Sequence, residues 1–87
     1  MLNIKTKSGL SVKVDVDKLR DDWEWVECGS AIQDDNTRYP EFIKRTLGDA
    51  QYEKLKKHNR KDGHVSTEGV NKDFKEIMKQ IQALEKN

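Results

Sequence analysis

Apolar and polar residues alternate in two segments at the start of the chain, residues 2–6 and 10–16. Lys7-Ser8-Gly9 lies between the segments, and Gly9 can adopt the positive φ that tight turns need. The pattern predicts a β-hairpin over residues 1–16. Because two strands alone are only marginally stable, this hairpin must pack on helices or be completed by a strand of another chain.

The middle of the chain then changes to helical spacing. Asp17 is expected to cap a helical turn at Lys18–Arg20. The adjacent acids Asp21 and Asp22 predict the start of a main first helix that runs to about Gln33, because acids in a first turn suit the helix dipole. Polar residues 34–37 then interrupt the pattern.

Two shorter helices are predicted after this break. Pro40 suits a first helical turn, so a helix is expected from Pro40 to Leu47, with Gly48 ending it. Asp49 is expected to cap the next helix, which extends from Ala50 to about Asn59. Residues 61–64 are predicted to form a turn.

The last helix has the clearest 3.6-residue period in the chain. Ser66 or Thr67 is expected to cap it, and its stripe should pack against the first main helix. The stripe consists of Val70, Phe74, Ile77, Met78, Ile81 and Leu84. The predicted fold is therefore α+β and mostly α: one domain, residues 1–87, with an N-terminal β-hairpin (1–16) and a helical part (17–87) of about four helices in a small bundle.

Composition indicates a small core. Hydrophobic residues make up 33% of the 87 positions and charged residues 38%, against roughly 45–50% and about 25% in typical domains. Stability should therefore be limited, and burial against a partner or against other copies would increase it. Because no segment resembles a signal peptide or a membrane span, we expect a cytoplasmic protein without a membrane partner.

Charge is distributed unevenly along the chain. Residues 15–35 carry eight acids against two bases, a net of −6, and residues 38–61 carry eight bases against three acids, a net of +5. Three interpretations are open: the patches join copies head to tail, they dock on charged partners, or the two segments face each other within the fold. The candidate self-association residues are Asp21, Asp22, Glu24 and Glu27 on the acidic side and Lys54, Lys56, Lys57 and Arg60 on the basic side.

Both tryptophans fall on the first main helix, on roughly opposite sides. Trp23 shares its side with Val26, whereas Trp25 shares its side with Cys28 and Gly29. One indole is expected to anchor the core and the other to serve a partner, and the sequence does not say which. The candidate partner-binding residues are Trp23, Trp25, Val26, Ile32, Phe42 and Tyr52.

Two smaller residues, Cys28 and Gly29, lie on the Trp25 side of the first main helix, and their environments can also be predicted. Cys28 is expected to be a small core residue. Gly29 weakens a helix by about 1 kcal/mol relative to alanine, which leaves room for a bend or for the close approach of another helix.

No residue pattern indicates catalysis, a metal site or a cofactor. His58 and His64 flank a turn and are expected at the surface, and a single cysteine cannot build a Cys-rich zinc site. Nucleic-acid binding has one argument in its favour, since residues 41–60 have the outline of a helix-turn-helix with a basic second helix. A pI of about 7.8 and a very short turn count against it. A small DNA-binding transcriptional regulator is therefore the alternative hypothesis.

Several segments together match a known pattern. The hairpin leads into Asp21-Asp22-Trp23-Glu24, and a Pro-started helix ends in Leu47-Gly48-Asp49-Ala50-Gln51-Tyr52. The turn Asp62-Gly63-His64-Val65 and an amphipathic helix follow. In these features the chain resembles the short tail assembly chaperones of long-tailed bacteriophages of Gram-positive bacteria and of their prophages.

The resemblance implies a non-enzymatic protein that works in the bacterial host cytoplasm and is absent from the mature virion. Such chaperones self-associate and coat the helical tape-measure protein while the tail tube polymerises around it. They are often made in two lengths by a translational frameshift, and the longer form recruits the tail-tube protein. The expected partners are therefore the tape-measure protein, the tail-tube protein and further copies of this chain.

Overall fold

A computed structural model describes residues 1–85 of the chain, with side chains through Leu84. The strands are β1 (Leu2–Lys5), β2 (Ser11–Val14), β3 (Arg60–Lys61) and β4 (His64–Val65). The helices are α1 (Val16–Arg20), α2 (Trp23–Ala31), α3 (Tyr39–Leu47), α4 (Asp49–His58) and α5 (Thr67–Glu85), and a 3-10 turn at Asn36–Arg38 precedes α3. The predicted α+β, mostly α fold with an N-terminal hairpin is confirmed. Within residues 1–85, no helix is both long and apolar enough to cross a bilayer.

The predicted N-terminal hairpin is confirmed as an antiparallel pair. Leu2 pairs with Val14 and Lys5 pairs with Ser11. The connecting turn is closed by the Thr6 N–H, which donates to the Leu10 carbonyl at 2.9 Å, and Gly9 takes a φ of +97° there. The inner face is buried against the helices, so the alternation predicted which side chains point inward.

Helix boundaries depart from the predictions at two caps. Asp15, not Asp17, caps α1, because its Oδ1 accepts from the Lys18 N–H at 3.2 Å. That makes the expected turn a complete short helix, so residues 1–85 contain five α-helices rather than about four. Asp49 was also wrongly predicted as a cap, since it is the first residue of α4 and the junction with α3 is Gly48 at a φ of +83°.

Later boundaries agree more closely with the sequence. Helix α2 ends at Ala31, two residues before the predicted end at Gln33. Of the two candidate caps of α5, Ser66 takes this position, with its Oγ accepting from the Gly69 N–H at 3.1 Å, and Thr67 is the first residue of the helix. The predicted turn at 61–64 is also present, and it connects the two-residue strands β3 and β4. Its Asp62-Gly63 pair has positive φ at both positions, as a type I′ hairpin turn requires.

The core lies between the hairpin and helices α3, α4 and α5. Its buried apolar residues are Ile4, Leu10, Val12, Val14, Val16, Leu19, Cys28, Phe42, Ile43, Leu47, Leu55, Phe74, Ile77 and Ile81. The α5 stripe supplies three of them, whereas its last member, Leu84, is 43% exposed. Cys28 is buried, which confirms the prediction that it is a core residue.

The predicted packing of α5 against the first main helix is wrong. Helix α5 packs mainly on β1 and α4, and α2 packs mainly on α3. Three rings explain this arrangement, because Phe42 of α3 stacks on Trp25 of α2 at a centroid distance of 5.6 Å and meets Phe74 of α5 edge-on at 5.8 Å. Helix α3 therefore lies between the two helices that were expected to touch.

Candidate partner-binding surface

The two tryptophans have opposite environments. Trp25 is half-buried, its ring stacks on Phe42, and its Nε1 donates to Thr46 Oγ1 at 2.8 Å. Trp23, in the first turn of α2, is 70% exposed. Since a buried indole normally finds a partner for its N–H, Trp25 is the internal anchor and Trp23 is the indole available to another molecule.

The other predicted partner-binding residues do not gather around Trp23. Phe42 is only 6% exposed, because Trp25 and Phe74 cover its ring, so its side chain is not accessible to a partner. Ile32 and Tyr52 are half-buried and pack against the core. Val26 is the predicted partner-binding residue that shares the Trp23 side of α2, and its side chain is half-buried.

The acidic residues around Trp23 have different structural roles. Asp22 caps α2, accepting from the Glu24 N–H at 3.0 Å. Glu24 forms an ion pair with Arg45 of α3 at 3.2 Å, so the acidic and basic segments do face each other at this point. Asp21 and Glu27 are exposed, and Glu27 lies one helical turn after Trp23. The exposed indole therefore has an acidic rim.

The four predicted basic residues are brought together, three on α4 and Arg60 at the start of β3. Lys54, Lys56, Lys57 and Arg60 line one depression of about 520 Å³. Two of them are already engaged within the protein. Lys54 Nζ donates to the Ser11 carbonyl at 2.7 Å. Lys56 pairs with Glu53 at 2.8 Å, and this hydrogen bond raises the pKa of the Lys56 ammonium group.

Gln51 on α4 has a role that the sequence analysis missed. Its Oε1 accepts from the Lys13 N–H at 2.6 Å, and its Nε2 donates to the Lys13 carbonyl at 2.7 Å. The side-chain amide thus replaces a neighbouring strand along the outer edge of β2. Gln51 lies within the Leu-Gly-acid-X-Gln-Tyr run that carried the family resemblance, but nothing in the run itself indicates an edge-covering glutamine.

A second missed feature is a polar network around the buried Asp73 at the hairpin tip. Asp73 of α5 is 1% exposed, and its Oδ1 accepts from the Ser8 hydroxyl at 2.7 Å. Its Oδ2 accepts from Asn59 Nδ2 at 2.9 Å. His58 Nε2 lies 3.0 Å from Ser8 Oγ, and Thr6 Oγ1 lies 2.9 Å from the same atom.

This network holds the fold together rather than activating a nucleophile. The single Ser8 hydroxyl proton is directed at Asp73, so His58 acts as a donor to Ser8 Oγ instead of a base that would remove that proton. Asp73 does not orient the imidazole, as the acid of a catalytic triad would. Among the described side chains, no three His, Cys, Asp or Glu residues gather in metal-binding geometry.

Comparison of the chain with protein-family models, curated proteins and solved structures finds no match.

Proposed function

We propose that this chain is a non-catalytic binding protein that acts as a tail assembly chaperone of a phage or prophage. The observation that carries the proposal is the 70% exposure of Trp23 beside the acidic rim of α2. Helix α2 already has its internal anchor in Trp25, so the fold has no need of a second large ring on the opposite side. An indole surrounded by polar residues is typical of an interface hot spot.

The expected partner fits this surface. A tape-measure protein is a long helix that needs temporary cover on its apolar stripe during assembly, and one indole per chaperone supplies a weak, reversible contact. Association between copies turns many weak contacts along the target into strong overall binding. The proposal includes a longer frameshifted form that recruits the tail-tube protein, action in the bacterial host cytoplasm and absence from the mature virion.

Co-expression with fragments of a phage tape-measure protein tests the proposal. We expect the wild type to hold a fragment soluble as a complex. Trp23→Ala should weaken that complex by roughly 2 kcal/mol or more and leave the melting temperature unchanged. Leu84→Ala is the matched control, because Leu84 is another exposed apolar residue, on a different helix. Failure of the wild type to bind any fragment, or equal binding by Trp23→Ala, would reject the proposal.

The alternative is a small DNA-binding regulator. It is supported by the four bases that line one depression along α4 and the start of β3, and it is weakened by the internal engagement of Lys54 and Lys56. Duplex DNA titrated at two salt concentrations separates the hypotheses. A chaperone should show no binding, whereas a regulator should bind with an affinity that falls steeply as salt increases.

A further inference from the structure

The two outer edges of the N-terminal hairpin differ in their backbone hydrogen bonds. Because the Thr6 N–H donates to the Leu10 carbonyl across the hairpin, the alternating pairs Asn3–Lys13 and Lys5–Ser11 direct their N–H and C=O groups away from the ladder. On β2, Gln51 occupies both outward groups of Lys13. The hairpin is therefore protected by α4 along one edge.

The β1 edge has no comparable cover. Within the described part of the chain, no hydrogen bond engages the outward backbone groups of Asn3 or Lys5, and both residues are exposed. The nearest backbone contact outside the ladder is at the tip, where the Lys7 N–H donates to Glu76 Oε1 at 3.3 Å. The N–H and C=O groups of Asn3 and Lys5 are thus four backbone groups aligned for pairing with an additional strand.

The charge beside this edge selects the type of strand. The outer face of the hairpin forms a groove of about 510 Å³. The groove is lined by Lys5, Lys13 and Lys54, and among the residues that the structure describes no aspartate or glutamate lines it. A glutamate or aspartate opposite Lys5 on an added strand would form a cross-strand ion pair, which stabilises strand pairing.

We propose that the β1 edge binds an extended acidic segment of a partner protein by adding it as a third strand. Backbone hydrogen bonds to Asn3 and Lys5 hold the segment, and alternate acidic side chains meet the lysines of the outer face. The segment's other side chains point toward the core side of the sheet and are expected to be apolar. This site differs from the Trp23 surface and does not depend on the proposed chaperone role.

A second copy of the chain fits this edge poorly. Antiparallel pairing of β1 with its equivalent about a two-fold axis would place both hairpin outer faces on the same side of one sheet. Each copy brings Lys5, Lys13 and Lys54 to that side without a described carboxylate in the groove. Like charges would therefore meet, whereas an acidic strand would neutralise them.

The test uses an acetylated and amidated peptide in which glutamate alternates with valine, and a matched peptide with lysine in place of glutamate. Amide hydrogen exchange on the full chain is the primary measurement. We expect the Asn3 and Lys5 amides to exchange rapidly in the free protein and to slow by about tenfold or more with the glutamate peptide. The lysine peptide should have no effect.

Asn3→Pro separates strand addition from simple charge attraction. It removes one outward N–H without breaking a ladder bond or changing the charge, and proline is tolerated at such edge positions. We expect about tenfold weaker binding of the glutamate peptide to Asn3→Pro, and near wild-type binding to Asn3→Thr, which keeps the N–H. If Asn3→Pro does not fold, exchange at Lys5 in the wild type decides the question.

Four results would overturn the proposal. The first is absence of binding by the glutamate peptide. The second is binding without protection of the Asn3 and Lys5 amides, which would indicate charge attraction alone. The third is protection that rises with protein concentration in the absence of peptide, because a second copy would then occupy the edge. The fourth is displacement of the peptide by duplex DNA with protection of the same amides, which would assign the groove to nucleic acid.

Discussion

Trp25 and Thr46 join α2 to α3 through a 2.8 Å hydrogen bond from the indole Nε1 to the threonine Oγ1. Thr46 is itself buried, and its hydroxyl donates to the Phe42 carbonyl at 2.8 Å. The indole N–H is therefore satisfied inside the protein while its ring covers Phe42. This relationship assigns Trp25 to folding and leaves Trp23 for recognition.

Trp25→Phe should destabilise the domain, whereas Trp23→Phe should not. The first change leaves Thr46 Oγ1 without its donor and removes packed ring area, which together cost roughly 1–3 kcal/mol. The second changes an exposed side chain and should shift the free energy of unfolding by less than about 0.5 kcal/mol. Urea denaturation measures both. Equal effects of the two substitutions would contradict the assignment.

Gly29→Ala should destabilise the domain although alanine favours helices. A Cβ at residue 29 would lie 2.9 Å from Phe42 Cε1, and that ring is held between Trp25 and Phe74. The helix-propensity gain of about 1 kcal/mol is outweighed by a packing cost of roughly 1–3 kcal/mol. Thermal denaturation provides the measurement. Phe42→Leu should relieve the clash, so the double variant should be more stable than additivity predicts; a stabilising Gly29→Ala would refute the close approach.

The sequence predicted the parts of the fold that depend on regular spacing. Alternation identified the inner face of the hairpin, and the 3.6-residue period identified Phe74 and Ile77 as core residues. It also left open a close approach at Gly29, which the structure shows to be the ring of Phe42. These features follow from local geometry, because side-chain direction is fixed once the type of element is known.

Features that depend on contacts between distant residues were not predictable in the same way. In the sequence, Asp73 directly precedes Phe74 of the apolar stripe. Nothing in that pattern indicates that the hydroxyl of Ser8, 65 positions earlier, donates a hydrogen bond to Asp73. Gln51 reads as an ordinary helical residue until its contact with Lys13 is known. The choice between Trp23 and Trp25 likewise depended on Thr46, 21 positions after Trp25.

Removing the carboxylate of Asp73 should loosen the hairpin tip. Asp73→Ala removes the charged acceptor of two part-buried hydrogen bonds, from the Ser8 hydroxyl and the Asn59 amide, at a cost of roughly 1–3 kcal/mol. Chemical denaturation of Asp73→Ala, Ser8→Ala and the double variant should give a coupling energy above about 0.5 kcal/mol. Ser11→Ala, at an exposed strand position, is the control. Strict additivity of the two single effects would contradict the network.

Alkaline pH should weaken the fold through Tyr39. Burial raises the pKa of its phenol above the ordinary value of 10.0, and its ring meets Phe74 edge-on at 5.8 Å. Because the folded state holds the proton more tightly, this stabilising contribution is present below pH 10 and is lost as pH rises through the raised pKa. Denaturation at increasing pH should show a steeper stability loss for the wild type than for Tyr39→Phe. Parallel curves would exclude the effect.

Head-to-tail association can be tested by exchanging charges between the exposed residues Glu27 on α2 and Lys57 on α4. If the acidic patch of one copy meets the basic patch of the next, sedimentation should show oligomers that grow with concentration and dissociate as salt screens the charges. Glu27→Lys and Lys57→Glu should each weaken association, because each places like charges in contact.

A mixture of the two charge-reversed variants provides the decisive measurement. Every contact between unlike variants would again pair an acid with a base, either at the two reversed positions or at the two native ones. We therefore expect the mixture to associate about as well as the wild type although neither variant does so alone. If the two patches only face each other within one chain, the sedimentation of both variants and of their mixture should equal that of the wild type. A mixture that stays monomeric would show that Glu27 and Lys57 do not meet across an interface.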